Sequence, residues 1–136
     1  MMPALPWSQE CRINVEVLDA QHRRLATLVG QLSEQLTADN VTDAAEETLT
    51  ELLRVTRLHF ATEEELMLKY GFPGYAAHRS EHKSLLLELE ALLALGRAAR
   101  ERGSDASTDI AGHWVVQHLL SQDAELGAFL NHRGIY

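Results

Sequence analysis

The sequence predicts an all-α protein, an antiparallel up-down-up-down four-helix bundle preceded by an N-terminal arm. Three observations lead there. Apolar residues recur at alternating steps of three and four along four separate segments, which is the spacing of one buried helix face. No segment of comparable length alternates with period two, so no sheet is expected. The connections around Ala38 to Asn40 and Gly71 to Gly74 are short, which makes consecutive helices antiparallel neighbours.

The first stripe is Leu18, His22, Leu25, Val29, Leu32 and Leu36. The second runs Leu49, Leu52, Thr56, His59, Glu63, Leu66 and Tyr70, and Gly71 with Pro73 close behind reads as a helix stop followed by a turn. The third is Tyr75, His78, His82, Leu85, Leu89 and Leu92, fading at Gly96 and the polar stretch 100–107. The fourth covers Ala111, Trp114, Val115, His118, Leu119, Gln122, Leu126 and Phe129. The expected layout is therefore a single domain over 1–136, with an arm at 1–17 and helices at about 18–37, 41–70, 75–100 and 107–131. A chain of 136 residues can enclose such a core without a partner subunit.

Composition narrows the function classes. A formal charge of -8, with no basic cluster longer than Arg23-Arg24, opposes binding to nucleic acid or anionic lipid. The opening residues 1–14 show no basic segment followed by an apolar run of signal-peptide length, and no stretch suits stable membrane insertion. A cytoplasmic location is the expectation. Cys11 is the single cysteine, which excludes an internal disulfide and a thiolate zinc site; it reads as a half-buried thiol of the arm.

Seven polar residues on or beside the four apolar stripes carry the chemistry. They are His22, His59-x3-Glu63, His78-x3-His82 and His118-x4-Asp123, five imidazoles and two carboxylates. A polar side chain without compensation is costly to bury. A His-x3-His or His-x3-Glu pair places two side chains one turn apart on one face, able to grip one ion or bridge to its neighbour. Neutral imidazole suits iron, zinc, copper and nickel, and a carboxylate can span two metals. The set exceeds the needs of one transition ion and fits two octahedral ions, a small exogenous bridge and one vacant position. Up-down topology would bring all seven to one end of the bundle, at levels roughly 5 to 20 Å from that end. The step from His118 to Asp123 is irregular: five residues rotate about 500° on an ideal helix, so either a π-type widening between Val115 and Leu126 or an Asp123 reaching in from the stripe edge is expected.

The chain resembles the bacterial hemerythrins, non-heme di-iron proteins that bind dioxygen. The resemblance rests on Trp7 ahead of Asp19-Ala20-Gln21-His22, on His59-Phe60-Ala61-Thr62-Glu63-Glu64, on the turn Tyr70-Gly71-Phe72-Pro73, on His78-x3-His82 and on Trp114-x3-His118-Leu119-x3-Asp123. It implies that His78, His82 and His118 hold one iron, that His22 and His59 hold the other, and that Glu63 and Asp123 bridge both. The cofactor it implies is a pair of iron ions with an oxo or hydroxo bridge, and the second iron would take dioxygen as ligand at its open position. By resemblance and helix geometry, Leu25, Phe60, Trp114 and Leu119 would wall that position, where apolar neighbours tune iron by excluding water. The sequence holds no Glu-x-x-His segment of the carboxylate-rich di-iron bundles, and a nitrogen-rich donor set should favour the ferrous state.

Plainer readings apply to the remaining polar positions. Asp19 reads as an N-cap of the first helix, with acceptance of a hydrogen bond from a ligand histidine as the alternative. Glu64 and Glu65 read as a solvated charged edge, and His113 and His132 as surface residues. Leu25, Phe60, Trp114 and Leu119 are also explained by packing alone. Three functions follow from the whole: a dioxygen carrier or store, with an oxygen-consuming enzyme as one recipient; an oxygen or redox sensor read by a partner protein; or a catalyst reducing peroxide or nitric oxide. No positioned acid or base beyond the metal donors is visible, which favours binding over enzymatic turnover.

Overall fold

The computed structural model describes residues 12–35, 43–102 and 123–136. Four helices lie within them: α1 (Glu16–Gln35), α2 (Asp43–Tyr70), α3 (Tyr75–Arg102) and α4 (Asp123–His132). No strand occurs among the described residues. Cross-helix pairs fix the directions. His22 meets His59 while Arg24 meets Glu51, so rising numbers in α1 face falling numbers in α2. Likewise Glu63 meets His82 and Arg57 meets Glu90, which makes α2 and α3 antiparallel.

The turn between α2 and α3 shows why the second stripe stops where it does. Gly71 adopts φ 71, a left-handed conformation that costs a residue with a Cβ, and Phe72 N–H reaches back to Met67 O at 2.9 Å. Helix α3 then opens at once, with His78 N–H donating to Gly74 O at 2.9 Å.

The start of α1 departs from the expected one. Asp19 is not an N-cap: the helix begins at Glu16, and Asp19 N–H already donates to Val15 O at 2.8 Å. Its buried carboxylate instead accepts from two backbone amides of the arm, Ile13 N–H at 2.9 Å and Asn14 N–H at 3.1 Å. The arm residues 12–15 are thereby folded back over the helix, with Asn14 in the left-handed region at φ 64, a conformation asparagine tolerates. On its other side the arm is held by α4: Asn131 Nδ2 donates to Asn14 O at 2.9 Å, and Gly127 lies directly against Ile13.

The core has two apolar clusters. One contains Leu25, Leu28, Val29, Leu32, Leu49, Leu52, Phe60, Leu85 and Leu89. The other contains Ile13, Val15, Leu18, Met67, Leu126 and Leu130, extended by Phe72, Tyr75 and Phe129. The buried polar residues belong to neither cluster. Thr48 and Thr56 lie within the stretch of α2 that supplies the first cluster, whereas His22 follows Leu18 and precedes Leu25, and Glu63 lies between Phe60 and Met67, at the junction of the two. The donors therefore form an internal layer rather than the end of the bundle. Counting from helix ends missed this because the arm and the Phe72 turn add an apolar cap beyond them.

Candidate metal centre

His22 on α1, His59 and Glu63 on α2, His78 and His82 on α3 and Asp123 on α4 are all buried, and their ligating atoms meet. One turn of helix separates His59 from Glu63 and His78 from His82, so each pair projects from a single face. The sixth, Asp123, closes the layer from the far end of the chain. The expected donor His118 and the expected wall residues Trp114 and Leu119 lie outside the described residues, as do Cys11, His113 and residues 115–122 of the stretch where a π-type widening was anticipated.

The six donors divide into two groups of four, His22, His59, Glu63 and Asp123, and Glu63, His78, His82 and Asp123. Both carboxylates belong to both groups, and each splits its oxygens between them. Asp123 Oδ2 lies 2.7 Å from His22 Nε2 and 3.0 Å from His59 Nε2, whereas its Oδ1 lies 3.2 Å from His78 Nε2. Glu63 Oε1 lies 2.9 Å from His82 Nε2 and 3.3 Å from His78 Nε2, whereas its Oε2 lies 3.5 Å from His59 Nε2. A carboxylate presenting one oxygen to each of two donor groups has the disposition of a bridge.

The outer hydrogen bonds settle which ring nitrogens face inward as lone pairs. Thr62 Oγ1 donates its hydrogen to Leu58 O at 2.9 Å, so it accepts from Gln21 Nε2 at 3.0 Å. Gln21 Oε1 is then turned toward His59 Nδ1 at 2.8 Å and must accept from it. Glu64 Oε2 takes the Nδ1 hydrogen of His82 at 2.8 Å. In neutral rings, His59 Nε2 and His82 Nε2 are consequently acceptors, and they face carboxylate oxygens, acceptors too, at 3.0 and 2.9 Å. Acceptors at that range repel unless positive charge lies among them.

A transition-metal ion satisfies this arrangement. Ligands about 2.1 Å from one ion and at right angles to one another are about 3 Å apart, which matches the donor spacings here. His22 and His59 present their Nε2 atoms 3.1 Å apart, as two ligands of one ion would. Metal binding also requires neutral imidazole and ionised carboxylate, and the outer partners of His59 and His82 direct their Nε2 lone pairs inward as such binding needs. Burying two carboxylates at 0% exposure calls for cationic compensation of this kind.

The surroundings are apolar and aromatic. Phe60 stacks flat on His82, with ring centroids 3.8 Å apart and planes 5° from parallel, and Phe72 meets His78 edge-on. Leu25 and Phe60 are both buried in the first cluster. Glu64 was expected on the solvated edge, but it is the hydrogen-bond partner of His82; Glu65 and His132 are exposed, as expected. The missed signal was geometric: Glu64 follows Glu63 by 100° around α2, enough to reach the outer side of a histidine on α3.

The chain matches the model of the "Hemerythrin HHE cation binding domain" over residues 14–130. It is 32% identical over 122 residues to a bacteriohemerythrin of Stenotrophomonas maltophilia, covering 90% of this chain and 78% of the relative. It is 30% identical to a myohemerythrin of Riftia pachyptila, covering 86% of each chain. Among solved structures, a hemerythrin leucine-to-tyrosine variant superposes with a TM-score of 0.81 at 26% identity, covering 93% of this chain and 97% of that one. A family match spanning most of the chain, the shared four-helix architecture and a buried layer of histidines and two shared carboxylates agree, and the chain belongs to the hemerythrin family.

Proposed function

We propose that the chain acts as one hemerythrin-like domain that binds dioxygen reversibly at a pair of irons, as a carrier or store. In this reading His78, His82 and His118 hold one iron, His22 and His59 hold the other, and Glu63 and Asp123 bridge them. The observation that carries it is the division of both carboxylates between two donor groups. When bound, the two irons supply one electron each and one open coordination position.

The chain's own residues set how that chemistry is used. Three imidazoles would serve one half and two the other, so the His22 and His59 side would be the one left to take dioxygen. Neutral nitrogen donors favour the ferrous state, and the proposed walls Leu25, Phe60, Trp114 and Leu119 exclude the water that would drive oxidation to completion. Burial of Leu25 and Phe60 supports their part in this. Gln21 and Glu64 orient the rings of His59 and His82 so that their Nε2 lone pairs stay directed inward. Partners other than dioxygen enter as recipients, an oxygen-consuming enzyme among them. No helix among the described residues is long and apolar enough to cross a membrane.

Stopped-flow mixing of the reduced, iron-loaded protein with dioxygen tests the proposal. Reversible formation of an oxygenated spectrum, lost on removing dioxygen, is the expected result. Immediate conversion to a diferric product with turnover of peroxide or nitric oxide would replace carriage by catalysis. Capture of a partner from one oxidation state alone would replace it by sensing.

A further inference from the structure

Two of the buried histidines, His59 and His82, are held from outside by groups of different charge. His59 Nδ1 donates to the neutral amide of Gln21, which is itself anchored by Thr62. His82 Nδ1 donates to the carboxylate of Glu64, at the same 2.8 Å distance. Glu64 is partly exposed, at 27%, yet it is oriented: its Oε1 lies 3.7 Å from Arg79 Nε, which leaves Oε2 for His82. Phe60, stacked on the His82 ring, fixes the plane in which that bond is made.

An imidazole whose Nδ1 hydrogen is shared with a carboxylate carries more electron density at Nε2 than one bonded to an amide, and is the more basic ligand. The outer bonds on His59 and His82 therefore differ in charge, one made to a neutral amide and the other to a carboxylate. We infer that Glu64 is a positioning residue that makes the His78 and His82 half the tighter metal site, filled first, while Gln21 keeps the His22 and His59 half the weaker one. This rests on the ligand assignment proposed above. It gives the centre an anchoring ion on one side and a more loosely held ion on the side proposed to take dioxygen.

Anaerobic titration of the metal-free full-length chain with cobalt(II), read by its visible ligand-field bands, tests this. Wild-type protein should bind two ions in two resolvable steps. Glu64→Gln preserves size and offers an amide oxygen to His82 Nδ1, so it should weaken the first step by about tenfold and leave the second nearly unchanged. Gln21→Glu should bring the second step closer to the first. Equal or absent effects of Glu64→Gln on the two steps would overturn the inference. So would a lowered melting temperature of the metal-free variant with an unchanged ratio of affinities, since that is what a purely structural contact gives. Fewer than two ions bound by the wild type would instead overturn the ligand assignment itself, and His82→Ala separates the cases further: it should abolish the tighter step.

Discussion

Replacing Gly127 by alanine sets two well-known effects against each other at one atom. Within a helix, alanine is favoured over glycine by about 1 kcal/mol, so the substitution should stabilise α4 on propensity alone. At this position, however, the new Cβ would stand 2.7 Å from Ile13 Cβ and 2.8 Å from Ile13 O. Ordinary carbon contacts begin at about 3.5 Å, so the arm and the helix would have to separate by nearly 1 Å, and overpacking of this kind costs about 1 to 3 kcal/mol. The arm cannot yield freely, because Asp19 holds the amides of Ile13 and Asn14 while Asn131 holds the Asn14 carbonyl. The net expectation is a loss of about 1 kcal/mol, which for a chain of this size lowers the melting temperature by about 3 to 5 °C. Gly127 also lies one turn from Asp123 on the same face of α4, so displacement of the helix moves a shared carboxylate and should reduce iron retained per chain. Thermal unfolding of the metal-free protein and metal analysis of the loaded one give the two readings. Ala128→Gly at an exposed site of the same helix calibrates the propensity contribution. A melting temperature that rises for Gly127→Ala would refute the reasoning, since it would mean that the arm retreats at no cost.

Other outcomes follow from single contacts. Glu63→Ala should drop iron content to one ion per chain or fewer, measured by metal analysis, because three imidazoles lose the carboxylate they face; full two-iron loading would contradict its bridging role. Asp19→Ala removes a charged acceptor from two amides and should cost about 1.5 to 3 kcal/mol, with faster hydrogen exchange at Ile13 and Asn14 as the local signature. Glu51 is held at about 2, below its ordinary 4.5, by the hydrogen bond from Arg54 and secondarily by Arg24. Because the folded value is the lower one, its contribution is complete above 4.5 and fades as pH falls toward 2. Wild type and Glu51→Gln should therefore differ slightly in denaturation midpoint at neutral pH and converge over that window, with the difference shrinking in high salt. A gap that persists below the lowered value would point to packing instead.

The donors were readable because metal chemistry and helix periodicity constrain the same positions. A histidine four residues before a glutamate or another histidine, on a stripe of leucines, has few explanations, and His22, His59, Glu63, His78, His82 and Asp123 do meet. What escaped the sequence depends on the third dimension. Glu64 looks like any surface glutamate beside a functional one, and only the packing of α3 on α2 brings His82 Nδ1 to it. Gln21 stood inside a recognised motif without a role, since its partner His59 is 38 residues away. Asp19 carries the residue type of an N-cap, but the true start of α1 is set by the arm, whose fold-back has no periodic signal. The same arm, together with the Phe72 turn, explains why the donor layer is internal although helix counting put it at an end.

The layer joins atoms distant in sequence: Asp123 Oδ2 lies 2.7 Å from His22 Nε2, although the two residues are 101 positions apart. At a translation rate of about 5 to 20 residues per second, that spacing separates the two side chains by about 5 to 20 s on the ribosome. During the interval His22, His59, His78 and His82 exist without the α4 carboxylate that defines the shared pocket, so a nascent chain can offer metal only fragments of a binding set. An ion held among these side chains would tie α1 to α4, closing into a loop a chain that is otherwise linear.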